Sequence, residues 1–187
     1  LVYQSEGTSG TGILWRDLQS NDKQLRTLFQ GFDWEYTVLD NEGDMMLVLT
    51  NYEAPNYKVV MVDPKNPAPE NWKEIIPEKE ELLEGVNASA GKLFAFYLKD
   101  VTTRIYQYDR SGKMEREVQL PGLGTAGGFN GEKTDTQLYY SFTSFTTPSD
   151  IYSYDIASGK STLYKKSEVN FDASRYKTVQ VFYPSKD

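Results

Sequence analysis

The chain of 187 residues contains no cysteine and no histidine. Without Cys there is no disulfide framework, no thiolate nucleophile and no thiolate metal site. Without His the usual general base of Ser and Cys hydrolases is missing, and so is the commonest zinc ligand. A Ser-His-Asp triad cannot be assembled from this segment alone. No apolar run approaches the roughly 18 residues of a membrane span, and no signal peptide opens the chain. There is no basic run either, and the net charge is −7, which argues against a nucleic-acid partner. No membrane partner and no cofactor is expected. The compartment stays open, because a disulfide-free protein is compatible with a cytoplasmic or a periplasmic setting.

What is present is aromatic and periodic. Aromatic residues make up 14% of the chain, with 14 Tyr and 9 Phe, which suits sheets packed face to face through large side chains. The run Ile105-Tyr106-Gln107-Tyr108-Asp109 recurs as Ile151-Tyr152-Ser153-Tyr154-Asp155, 46 residues later. At the same interval upstream stand Val59-Val60-Met61-Val62-Asp63 and Ile13-Leu14-Trp15-Arg16-Asp17. Each copy places a β-branched residue four positions before an Asp. A period in this range with strands in each unit is the signature of propeller blades.

The flanking runs repeat as well. Strand-like segments precede the markers at 45–50, 93–98 and 138–142, and earlier still at 36–39, 86–90 and 126–130. Others follow at 25–29, 72–76, 114–120 and 161–164. Each unit therefore carries four short strands, and four-stranded antiparallel units arranged radially are blades. The expected fold is all-β: a partial β-propeller over 1–175, with an incomplete blade at 1–30 and blades at about 36–76, 86–120 and 126–165. A β-sandwich with coincidental spacing is the alternative. The chain opens on Leu1-Val2-Tyr3-Gln4, a strand already under way, so its N-terminus is expected not to be native.

Motifs that suggest chemistry are weak one by one. The loop Glu6-Gly7-Thr8-Ser9-Gly10-Thr11-Gly12 lacks the Lys-Ser/Thr of a P-loop and is followed by a strand; it also misses the nucleophile-elbow spacing. It reads as a mobile inter-strand loop. Glu78-Lys79-Glu80-Glu81 lacks the alternation and the Gly of a calcium loop and reads as a solvated connection between blades. Three prolines in Asp63–Glu70 exclude a regular strand or helix interior there, and Asn71–Glu74 is open between a helical turn and a strand. Asn87-Ala88-Ser89 fits a glycosylation sequon but lies in a predicted strand. Ser111-Gly112-Lys113 and Ser158-Gly159-Lys160 are hairpin turns. The hydroxyl-rich loop from Phe142 to Pro148 has no base beside it and reads as structural. Finally, Tyr176 to Tyr183 reads as one more strand, outside the 46-residue register.

Four stretches resemble the prolyl oligopeptidase family of serine peptidases: Leu49-Thr50-Asn51 through Ala54-Pro55-Asn56-Tyr57; Asn71-Trp72-Lys73 with Ile76-Pro77-Glu78; Phe142-Thr143-Ser144-Phe145 with Pro148; and Thr178 through Tyr183-Pro184-Ser185-Lys186-Asp187. The resemblance covers the whole chain in order, and the last stretch is the most specific. In that family such a stretch leaves a seven-bladed propeller and opens an α/β-hydrolase domain. The resemblance thus implies that 176–187, with Tyr183, Pro184, Ser185, Lys186 and Asp187, is an interdomain crossover. Catalytic groups would lie beyond it, and none is assigned here; no metal or cofactor site is assigned either. The implied role is to cap the active site of an endopeptidase that cuts short peptides after proline, and to gate access to it. The implied partners are the hydrolase domain, the N-terminal blades and short peptide substrates. The segment alone is expected to be inactive, and to self-associate through bare blade faces rich in Val, Ile, Leu and Tyr.

Two other functions compete. One is a stand-alone propeller serving as a protein- or ligand-binding scaffold, since the fold does not dictate function. The other is a propeller enzyme with a site on its central channel, which without His or Cys would rest on carboxylates alone.

Overall fold

The computed structural model describes residues 1–7, 9–169, 172 and 175–184. It contains fifteen strands in chain order: β1 (Val2–Gln4), β2 (Gly12–Trp15), β3 (Arg26–Phe29), β4 (Tyr36–Glu42), β5 (Met45–Thr50), β6 (Lys58–Val62), β7 (Lys73–Ile76), β8 (Leu82–Ser89), β9 (Lys92–Lys99), β10 (Thr102–Tyr108), β11 (Met114–Glu117), β12 (Thr125–Asn130), β13 (Gln137–Thr143), β14 (Asp150–Asp155) and β15 (Ser161–Lys165). They form four antiparallel meanders: a three-stranded sheet β1-β2-β3, then four-stranded sheets β4 to β7, β8 to β11 and β12 to β15. The fold is all-β, as the repeat predicts.

The four marker runs occupy one structural position, the strand that precedes the last in each sheet. Ile13, Val59 and Ile105 are fully buried. Ile151 is only half-buried, because no further sheet among the described residues covers its face. The register slips at the marker itself in three sheets, between Ile13 and Leu14, Val59 and Val60, and Ile151 and Tyr152. In the remaining one it slips between Gln107 and Tyr108. A β-bulge at that place sharpens the local twist where the edge strand joins.

The repeated Asp has a chemical reason. Each carboxylate accepts a backbone N–H just downstream: Asp17 from Gln19 (2.8 Å), Asp63 from Lys65 (2.8 Å), Asp109 from Lys113 (3.0 Å) and Asp155 from Ser158 (2.8 Å). The side chain thus starts the turn that ends the strand. For Asp155 the Ser158 hydroxyl and N–H hold the carboxyl below its ordinary value.

The chain divides into two compact units, 1–86 with 110–112, and 87–109 with 113–187. In the first, Ile13, Trp15, Leu28 and Phe29 pack against Tyr36, Val48, Val60 and Val62. Phe29 stacks on Tyr36 at 4.0 Å, and Trp72 meets both rings edge-on. The prolines of Asp63–Glu70 give way to a short 3-10 turn at Pro69–Asn71, after which the chain returns to strand at Lys73. Both open readings of that segment are therefore realised in succession. In the second unit the core gathers Phe94, Ile105 and Val118 with Phe129, Leu138, Tyr140, Phe142 and Tyr154.

Two expectations are corrected. Residues 176–184 carry no strand, although their alternation reads as one; no described strand pairs with them, and alternation without a ladder partner does not make a strand. The outward face of the last sheet, expected to be rich in Val, Ile, Leu and Tyr, carries Tyr139 and Tyr164 and the half-buried Ile151 but is otherwise largely polar. Along β13 the inner positions are Leu138, Tyr140 and Phe142, while Gln137, Tyr139, Ser141 and Thr143 are exposed.

Candidate functional site

Successive strands of a meander reverse direction, so every second connection lies at the same end of a sheet. In the second unit that end carries the β9–β10 turn at Asp100-Val101, the β11–β12 connection at Leu120–Gly124 and the β13–β14 loop after Thr143. They surround a cleft of about 580 Å³, whose other wall is Thr178–Val181. The Gln180 side-chain amide donates to the Asp100 carbonyl at 2.5 Å, and the Thr146 and Thr178 hydroxyls lie 3.4 Å apart. Residues 178–181 are thus held against this end of the sheets.

Exposed apolar groups collect here. Val101 is 86% exposed and Phe145 97%, and Leu123, Val179, Val181 and Phe182 are exposed as well. The loop that bears Phe145 is internally hydrogen-bonded: Ser144 Oγ accepts the N–H groups of Thr146 and Thr147, and Ser144 N–H donates to the Thr147 carbonyl. Its hydroxyls do structural work, as the lack of a base beside them implies. Of the five residues that the resemblance marks as a crossover, Tyr183 is 84% exposed and Pro184 is exposed. Ser185, Lys186 and Asp187 lie outside the described residues.

In the first unit the corresponding β5–β6 loop is cross-tied. Glu35 N–H donates to Asn51 Oδ1 at 2.7 Å, Asn56 N–H donates to Glu78 at 2.7 Å, and Asn56 Nδ2 donates to the carbonyls of Lys79 and Glu80. The Tyr57 hydroxyl donates to the Glu35 carboxylate. Burial and then Glu35 push that phenol up to about 12. Glu78 is therefore a loop fastener here. The glycine-rich loop is likewise pinned at one end, where Thr11 N–H donates to the Trp34 carbonyl at 2.8 Å. Gly10, at φ +80°, sits so near the Phe32 carbonyl that a Cβ would fall 1.7 Å from its oxygen. Asn87 of the sequon donates its amide to the Gly128 carbonyl at 2.6 Å, so it is engaged within β-structure.

At the opposite end of the second unit lies a charged cleft of about 530 Å³. Lys92 pairs with Glu115 at 2.5 Å, and Gln107 donates to the same carboxylate at 2.7 Å. Burial acts to raise Glu115, but the two donors and the Lys92 charge outweigh it and hold it below its ordinary value.

The sequence reading missed the Asp100-Val101 turn and its tie to Gln180. The two-residue spacing between 99 and 102 was the available signal, but the pair lacks the Asn-Gly composition that announces such turns.

Successive four-stranded antiparallel sheets with one marker position per sheet define a segment of a β-propeller. Residues 1–167 match the family described as prolyl oligopeptidase, N-terminal beta-propeller domain, and the chain belongs to that family. It is 42% identical over its whole length to a prolyl endopeptidase of Elizabethkingia miricola and 40% identical to that of Elizabethkingia meningoseptica. It spans about a quarter (26%) of the length of either relative. A solved structure from a study of two prolyl endopeptidases and their inter-domain dynamics superposes with a TM-score of 0.86 at 39% identity, covering 95% of this chain and 26% of that one. Prolyl oligopeptidase B from Galerina marginata shares the fold, with a TM-score of 0.84 at 22% identity over 97% of this chain and 27% of its own.

Proposed function

We propose that this chain is the non-catalytic propeller segment of a serine endopeptidase that hydrolyses short peptides after proline, and that the propeller gates entry to the active site. The observation that carries this reading is the unbroken likeness to prolyl endopeptidases over all 187 residues, at 42% identity, in a chain without histidine. The catalytic Ser, Asp and His then belong to sequence outside these residues, and 176–187 is the crossover toward them. The family match ends at 167, and residues 176–184 carry no strand, which supports a segment that has left the blades. In this role the propeller keeps folded proteins out, and short peptides pass when propeller and hydrolase part.

The test compares this chain with the full-length protein on a fluorogenic peptide with proline before the scissile bond. The full-length protein is expected to turn it over and to lose activity to a serine-directed inhibitor, and the purified chain to show none. Inhibitor-resistant turnover by the purified chain, or none by the full-length protein, would overturn the reading and favour a binding scaffold.

A further inference from the structure

The β9–β10 turn joins Lys99 to Thr102, which face each other across the ladder, so only Asp100 and Val101 make the reversal. Their φ values are +49° and +60°, both left-handed. Turns of this kind favour Asn-Gly, and a β-branched side chain in that region is a genuine outlier. The outlier brings no packing return inside the chain, because Val101 is 86% exposed. Backbone strain combined with an exposed apolar tip is a mark of a site that meets something else.

We propose that Val101, with Phe145 beside it, is a knob that seats in an apolar pocket of the polypeptide following Asp187 in the full-length protein. This rests on the crossover reading of 176–187. Three observations select that occupant. The cleft beside the knob is walled by Thr178–Val181, so the chain leaves along the same surface. The relatives are about four times as long as this chain, since it covers 26% of them. A partner joined by a short tether competes at high effective concentration with any partner from solution. The Gln180 amide on the Asp100 carbonyl adds a mechanical link, because it fastens the exit segment to the backbone that carries the knob. Seating of Val101 and positioning of the crossover therefore occur together.

The experiment uses the full-length protein with Val101→p-benzoylphenylalanine, irradiated and mapped by peptide mass spectrometry. Turnover of a short proline peptide by the unirradiated variant shows that it is folded. A cross-link within one chain to a residue beyond Asp187 is the expected result. Cross-links only between two copies, or none in the folded variant, would overturn the knob. A companion variant, Val101→Asn, suits the left-handed backbone but is polar. It is expected to speed inactivation by a bulky serine-directed probe several-fold; an unchanged rate would contradict the proposal. If wild-type full-length protein has no inhibitor-sensitive turnover, the crossover reading has failed and the knob falls with it. An active wild type with an unaltered variant sinks the knob alone.

Discussion

The Tyr154 hydroxyl donates to the side-chain carbonyl of Gln107 at 2.7 Å, between two residues 47 apart and both inside the repeated marker runs. Both are buried, Gln107 being 1% exposed. The Gln107 amide in turn donates to Glu115, which pairs with Lys92. A polar chain thus runs from the core to the charged cleft and ties β14 to β10. Removing the hydroxyl strands a buried acceptor. Tyr154→Phe is expected to lower stability by about 1–3 kcal/mol, measured by urea unfolding. A neutral result would mean that water replaces the hydroxyl.

The aromatic cluster of the second unit centres on Phe129. It stacks on Phe94 at 4.9 Å and on Tyr140 at 4.8 Å, and meets Tyr154 edge-on at 5.4 Å. Phe129→Ala leaves a cavity among rigid rings and should cost about 3–5 kcal/mol in the same unfolding measurement. A loss below the range seen for a single methylene would show that the neighbouring rings collapse into the space.

Two glycines in the first unit separate strain from crowding. Gly112 lies at φ +91°, and a Cβ there would fall 1.9 Å from the Ile75 carbonyl oxygen; Gly43 lies at φ +59° with open space around it. Gly112→Ala must both strain its own backbone and displace Ile75, so it should lose well over about 1 kcal/mol. Gly43→Ala bears the conformational term alone and should lose less. Equal melting temperatures for the two variants would contradict the close approach.

Alkaline pH should unfold the chain in a defined window. Burial lifts the phenols of Tyr36 and Tyr154 from the ordinary 10.0 to about 12. A folded-state value above the unfolded one means that the folded state holds its protons longer. The contribution to stability is fully present below pH 10 and is lost as pH rises toward 12. Within that window each group weakens the folding equilibrium by about tenfold for every pH unit. Phenolate absorbance and circular dichroism, followed together, are expected to show these phenols ionising with unfolding. Their ionisation in a folded chain near pH 10 would contradict the burial.

Self-association remains an expectation for the isolated chain, but the structure relocates the sticky surface. The outward face of the last sheet is hydroxyl-rich, whereas Val101, Phe145, Val181 and Phe182 are exposed together at the cleft end. Size-exclusion chromatography across a wide concentration range should show association, reduced by Phe145→Asp. A monomer at every concentration would sink this.

The sequence by itself determined the strands inside the 46-residue repeat, the grouping of the last three sheets in fours and the family. Those features rest on period-two alternation, on a 46-residue interval and on turn residues such as Asp109 and Gly112, all of which act over a few neighbours. It also carried the resemblance of Thr178–Asp187 to the family as a pattern of letters. Tertiary structure alone decided what covers each face and which loops share a cleft. Ile151 repeats Ile105 in register yet stays half-buried, because burial depends on a neighbouring sheet and not on the strand that bears the residue. Tyr176–Tyr183 alternates like a strand yet has no ladder, since a strand needs a partner's backbone as well as its own propensity. The tie from Gln180 to Asp100 spans 80 residues. No local spacing encodes such a contact; it exists only once the sheets have brought both ends of the interval to one edge.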